Sequence, residues 1–200
     1  MQRLKSGQRQ RLRENRIQLP RSEQVSAAAR LARLVAGTSF FKNSHRLACY
    51  FPNDGEIDPR PLIQQAWVRK KCCYLPVLSR LQGCLWFARV LPDTRFRCNR
   101  FGIPEPLVER RELVRVRDLD LILMPLVGFD LQGNRLGMGG GFYDRSLAFL
   151  RYRLYWKRPR LLGLAYDFQQ VDILTADPWD IPMQAVVTDQ AVYLPIKEIK

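Results

Sequence analysis

The sequence predicts an α/β fold: a three-layer domain with a mostly parallel central sheet, helices on both faces and the N-terminal helices packed against it. Three observations carry that prediction. Short apolar runs of strand length alternate with helical patterns along the chain. The most apolar of them, Leu121-Ile122-Leu123-Met124, reads as a strand covered on both faces. A glycine-rich loop follows that run, where open α/β sheets place their ligands.

The elements follow in order. Up to about Arg16 the chain has strong helix formers, many arginines and few apolar residues, which predicts a largely solvated helix. Pro20 ends it. Ser22 is placed to cap a second helix, whose buried face is read as Val25, Ala28, Ala29, Ala32 and Val35. The run Arg46 to Phe51 predicts a strand, followed by the loop Pro52 to Glu56. Asp58-Pro59 opens a helix that buries Leu62, Ile63, Ala66 and Trp67. Cys72–Val77 and Leu85–Val90 read as strands, and residues 93–111 as turns. Leu161–Ala165, Ala185–Val187 and Val192–Leu194 complete the strands. With no repeat and no linker after residue 40, the expectation is a single domain over residues 1–200: a basic helical segment 1–40 and an α/β core 41–200.

Composition narrows the function. The chain is 46% hydrophobic and has no apolar run of the roughly 18 residues that would span a membrane. Its basic start, Met1 to Arg9, lacks the apolar stretch of a secretory signal, so a cytoplasmic protein is expected. Five cysteines lack metal-like spacing, and the expectation is reduced thiols, four of them (Cys49, Cys72, Cys73, Cys84) inside apolar runs. The one histidine, His45, sits in a polar stretch and is not expected to be catalytic. A net charge of +14, thickest in the first 46 residues, attracts polyanions: nucleic acid, nucleoside triphosphates or polyglutamylated small molecules.

The stretch Leu121 to Arg145 carries the chemistry. Gly133, Gly137, Gly139, Gly140 and Gly141 leave backbone N–H groups open to an anion, and a helix begins near Asp144. The loop lacks the lysine of a Walker motif and the spacing of a dinucleotide fingerprint. It reads either as a phosphate site served by Arg135 or as a tight turn. Asp144 reads as a helix-end carboxylate or a Mg²⁺ ligand. Asp180, between Trp179 and Ile181, reads as a turn residue or the second ligand.

The segment Met124-Pro125, Gly128-Phe129-Asp130 and Arg135 to Arg145 resembles the signature of the 5-formyltetrahydrofolate cyclo-ligases. The resemblance extends to Asn99-Arg100-Phe101-Gly102-Ile103-Pro104-Glu105-Pro106, to Asp54-Gly55-Glu56 and to Trp179-Asp180-Ile181-Pro182. It implies the ATP- and Mg²⁺-dependent conversion of 5-formyltetrahydrofolate to 5,10-methenyltetrahydrofolate. ATP would lie on Lys5 and Arg9 of the first helix, and on Arg135, Leu136, Gly137, Met138, Gly139, Gly140, Gly141, Phe142 and Tyr143. Arg9 and Arg13 share the spacing of Lys5 and Arg9, four apart. Phe51, Glu56 and Met138 to Phe142 would line the folate site. Asp144 and Asp180 would hold Mg²⁺, and Arg135, Tyr143 and Asp144 form the expected catalytic group. Family members often carry a basic residue where Met138 and Gly140 stand and tyrosine where Phe142 stands. Those departures remove charge near the phosphates. The expected partner is the folate, with or without a polyglutamate tail, and the expected state a monomer with no nucleic acid and no membrane. The competing readings are a basic nucleic-acid-binding protein and another phosphate-site enzyme, such as a sugar-phosphate isomerase or CoA transferase relative.

Overall fold

The computed structural model describes residues 2–79, 83–153 and 158–196, with side chains from residue 6 onward. Two helices open the chain, α1 (Gln2–Gln18) and α2 (Arg21–Gly37), with Pro20 between them. Ser22 is not the cap: Pro20 holds that position and no side chain caps the helix. Its buried face is Ala27, Ala28, Leu31, Ala32, Val35 and Ala36, whereas Val25 and Ala29 face solvent. Adjacent pairs recurring every four residues shift the buried stripe away from the predicted one. The four-residue α3 (Ser39–Lys42) follows, capped by the Thr38 hydroxyl oxygen, which accepts from the Phe41 N–H at 3.2 Å.

Strand β1 (Arg46–Ala48) is shorter than predicted. Helix α4 (Arg60–Val68) begins after Asp58-Pro59, with the Asp58 carboxylate accepting from the Arg60 N–H at 2.9 Å. Then come β2 (Cys72–Leu78), β3 (Leu85–Val90), β4 (Phe96–Cys98), β5 (Pro104–Pro106), β6 (Leu113–Val114) and β7 (Leu121–Pro125). The chain continues with β8 (Gly128–Phe129), β9 (Arg135–Leu136), α5 (Phe142–Leu147), β10 (Arg160–Leu164), β11 (Ala185–Val187) and β12 (Val192–Tyr193). The main sheet runs β12-β11-β10-β7-β1-β2-β3-β6. Its centre, β11-β10-β7-β1-β2, is parallel, and β12, β3 and β6 add antiparallel edges. Residues 93–111, expected to be turns, contain an antiparallel β4–β5 hairpin.

Alternation along the strands builds one core on each face of the sheet. Leu47, Leu121, Leu123, Leu162 and Leu164 join α2 and α4 on one side. Ala48, Ile122, Met124, Leu161 and Ala165 join Leu147 of α5 on the other. Because the central strands are parallel, the segments after β1, β7 and β10 leave the sheet at one edge. Helix α1 lies against that edge: a methyl added at Gly128 would come within 2.9 Å of Leu12, and one at Gly55 within 3.0 Å of the Arg16 carbonyl.

Candidate active site

Two loops meet at this edge. After β1, Asn53 to Glu56 form a tight turn closed by the Glu56 N–H donating to the Asn53 carbonyl at 3.0 Å. Asp54 and Gly55 both have positive φ, +53° and +71°, the pairing for which Asp-Gly is favoured. The turn is gripped from α1. Arg13 Nε donates to Asp54 Oδ2 at 2.6 Å, and Arg16 donates to Asp54 Oδ2 at 2.9 Å and to the Asp54 carbonyl at 2.8 Å.

Beside the turn lies a cleft of about 310 Å³ whose walls include Phe51, Glu56, Arg21, Gln24, Asp58 and Tyr166. Phe51 and Glu56, expected to line the folate site, both line this cleft. Burial pushes the Glu56 carboxyl up to about 7 even though the Arg16 cation opposes the shift. The Phe51 ring tilts against Phe96 of β4 at 6.0 Å. The β4–β5 hairpin is fixed over this edge by Glu105, whose Oε1 accepts from Asn99 Nδ2 at 2.9 Å and from the Leu78 N–H at 3.0 Å. The segment Asn99 to Pro106 therefore acts as a brace. Sequence reasoning missed Phe96 and Phe101; two exposed aromatics in a turn-rich stretch were the available signal.

The second loop follows β7. Asp130 organises its base: its carboxylate accepts from the Gln132, Asn134 and Leu174 N–H groups and from Asn134 Nδ2, all at 2.9 to 3.0 Å. From Gly137 to Gly141 the backbone forms no regular element, and Met138, Gly139 and Gly140 are exposed. Gly139 (φ +92°) and Gly141 (φ +64°) adopt conformations that side chains resist, and Gly141 caps α5. Helix α5 runs only six residues before a 3-10 turn, so its dipole is weaker than the sequence suggested. Phe142 meets the edge of Phe101 at 6.1 Å, so the hairpin touches this loop as well.

Arg9 reaches the glycine loop, donating from Nε to the Gly137 carbonyl at 2.8 Å. Arg13, the alternative at the same spacing, is committed to Asp54. The side chain of Lys5 lies outside the described residues. Arg135, expected on the phosphates, is engaged within the protein. It is 7% exposed and donates to Asp144 Oδ1 and to the Ile181 carbonyl. That pairing ties the start of α5 to the Trp179–Pro182 segment. Asp180 Oδ2 accepts from the Asp177 N–H at 2.9 Å, which fits its turn reading. Asp144 keeps a quarter of its side-chain surface open. Among the described residues no group of three or more His, Cys, Asp or Glu is placed to hold a metal.

Tyr143 joins the two loops. Burial pushes its hydroxyl pKa well up, and Glu56 and Cys49 raise it further while Arg135 lowers it. The carboxylate of the first loop and the cation of the second thus act on one side chain. A larger cleft, about 620 Å³, lies between α1 and Gln170–Ile173 and holds none of the expected residues. His45 is exposed beside Cys72 at the opposite end of β1, with Nε2 and Sγ 3.8 Å apart. All five cysteines are free; Cys49 and Cys73 are buried, Cys72 and Cys84 only partly, and Cys98 is exposed.

Comparison with known proteins adds to this geometry. Residues 1–189 match the 5-formyltetrahydrofolate cyclo-ligase family. A 5-formyltetrahydrofolate cyclo-ligase of Haemophilus influenzae is 43% identical over 145 residues, covering 71% of this chain and 74% of that protein. One from Escherichia coli K12 is 42% identical over 151 residues, covering 75% and 81%. The NMR structure of Aquifex aeolicus 5,10-methenyltetrahydrofolate synthetase superimposes with a TM-score of 0.80 at 33% identity, over 98% of this chain and 95% of that one. With its glycine loop and its Glu56 cleft brought to one edge of the sheet, this chain belongs to the 5-formyltetrahydrofolate cyclo-ligase family and is an enzyme of that class.

Proposed function

We propose that the enzyme converts 5-formyltetrahydrofolate to 5,10-methenyltetrahydrofolate with consumption of ATP and release of ADP and phosphate, in the presence of Mg²⁺. The observation that carries this reading is the meeting of an exposed glycine loop with an acidic, aromatic-walled cleft through Tyr143. The pterin lies in the cleft. The Glu56 carboxylate accepts from its N–H donors, and Phe51 supplies an apolar wall. The triphosphate lies on the backbone of Gly137 to Gly141, with Arg9 at its side. A methyl at Gly137 would meet nothing within 4 Å, which leaves room for phosphate oxygens beside that backbone.

The formyl oxygen attacks the γ-phosphorus and ADP leaves. The folate N10 then adds to the activated formyl carbon and gives up its proton to solvent, and phosphate departs with that oxygen. An amide-type oxygen leaves poorly until it is phosphorylated, so the nucleotide supplies the leaving group. Such a transfer asks the protein mainly for alignment and charge stabilisation, which suits a site without a nucleophilic triad. Asp144 and Asp180 are the residues that would hold Mg²⁺, which when bound neutralises phosphate oxygens. Arg135 keeps the Asp144 carboxylate in place. Mixing the protein with 5-formyltetrahydrofolate and Mg-ATP should raise the methenyltetrahydrofolate absorbance. A flat trace, or an equal rise without ATP, would refute the reading.

A further inference from the structure

Arg16, which grips Asp54, heads the large fully buried side chains among the described residues. A guanidinium cannot shed its proton, so burying one is unfavourable unless its donors are matched. Here they are. Nε donates to the Asp54 carbonyl, Nη2 to Asp54 Oδ2, and Nη1 to the Leu126 carbonyl at 3.2 Å. One side chain thereby joins α1 to the turn after β1 and to the end of β7. Its own backbone completes the grip, lying where a side chain at Gly55 would have to go.

Two of its acceptors also have other donors. Asp54 Oδ2 has a second cation in Arg13, and the Leu126 carbonyl a second donor in Gln169 Nε2 at 2.7 Å. What depends on Arg16 is the orientation of a turn with two consecutive left-handed residues, and Glu56 is its last residue. Within the turn, Glu56 Oε2 accepts from the Asn53 N–H at 3.2 Å. Arg16 attracts it from α1, and Asp54 repels it from within the turn. Tyr50 and Tyr143 interact with it from the end of β1 and from α5. Arg21 and Gln24 of α2, Asp58, Arg60 beside it and Tyr166 line the same cleft. Arg60 is bound to Asp58, with contacts of 2.6 to 3.0 Å.

We infer that Arg16 is a positioning residue for substrate recognition: its grip on Asp54 and Leu126 fixes the Asn53–Glu56 turn so that Glu56 faces the cleft, where it receives the substrate's N–H donors. The inference rests on the reading of Glu56 as a folate contact, and the experiment separates the two. Glu56→Gln is measured first by steady-state kinetics against 5-formyltetrahydrofolate and ATP. An unchanged folate KM would remove the Glu56 reading itself, and the role of Arg16 with it.

With Glu56 established, Arg16→Met should raise the folate KM about tenfold near neutral pH. The ATP KM should stay close to that of the unsubstituted enzyme. The pH below which folate binding weakens should move up by about one unit, because the ionised carboxylate has lost its neighbouring cation. In the Glu56→Gln background, Arg16→Met should produce no such pH shift. Arg16→Lys keeps a charge but not the three-way grip, so it should raise the folate KM and leave the pH profile nearly in place. Folate and ATP KM values rising together, with an unmoved pH profile, would make Arg16 a purely structural ion and overturn the inference. Should Arg16→Met fail to fold, Arg16→Lys and Asp54→Asn carry the test, and an unchanged folate KM in both would refute it.

Discussion

Replacing Glu56 with glutamine should make the protein more stable above neutral pH while making it a poorer enzyme. The carboxyl titrates at about 7 in the folded chain against an ordinary value of 4.5, because burial disfavours its charge. Its folded pKa is the raised one, so between those two values the native state holds a proton that the unfolded chain has released. Stability therefore falls as pH rises through 4.5 to 7, and the full penalty is present above that window. A gap of that size corresponds to at most about 3 kcal/mol at pH 8 and to under about 1 kcal/mol at pH 5. Glutamine fills the same space, keeps an oxygen for the Asn53 N–H and never ionises. Urea unfolding of both proteins at the two pH values gives the comparison. The variant should lead by up to about 3 kcal/mol at pH 8, or roughly 6–12 °C in melting temperature, and the lead should nearly vanish at pH 5. A gap independent of pH, or one that widens in favour of glutamate at pH 8, would refute the reasoning. The folate KM of the variant should rise more than its ATP KM, which marks the buried charge as functional.

Other outcomes follow from the same contacts. Arg9→Met should raise the ATP KM about tenfold to a hundredfold, the range for losing a charged hydrogen-bonding group, with the folate KM little moved; steady-state kinetics read both. Asp144→Asn should lose turnover and still fold, since an amide oxygen accepts from Arg135. Asp144→Ala strands that buried guanidinium and should unfold about 3 kcal/mol more easily in urea. Gly163→Ala places a methyl 2.6 Å from both Leu126 and Met183 in the middle of β10 and should destabilise the protein by about 1–3 kcal/mol in the same assay, with KM values near normal.

The legible part of this fold was the part written in strong local signals. The run Leu121 to Met124 and the glycines after it announced the central strand and its loop, because burial on both faces and positive φ each demand particular residues. Phe51 and Glu56 were assigned by resemblance, and the cleft beside the turn contains both. Three features escaped because they depend on partners distant in sequence. Arg16 reads as one more solvent-facing arginine until the Asp54 turn is folded onto it. The pairing of Arg135 with Asp144 forms only when α5 brings the carboxylate round, which no local signal announces. The β4–β5 hairpin is only three residues a side and carries Pro104 and Pro106, so its strand signal is drowned by turn residues.

The basic N-terminal helix, which invited a nucleic-acid reading, is better explained by what its inner face holds. Arg9, Arg13 and Arg16 are spaced at i, i+4 and i+7, one face of a helix, and all three are at least half withdrawn from solvent or bound to another loop. The first lies on the glycine loop and the other two on the Glu56 turn. A rigid helix therefore sets the separation between the two loops. On the proposed reaction that separation bears on the phosphoryl transfer, because a formyl oxygen and a γ-phosphorus react only when held within about 3–3.5 Å and in line. Arginine suits the task better than lysine: its fork binds two acceptors in fixed directions and keeps its charge when buried. The concentration of positive charge at the start of this chain thus has a structural use at three positions, while outward residues such as Arg11 shape the field that a polyanionic substrate first meets.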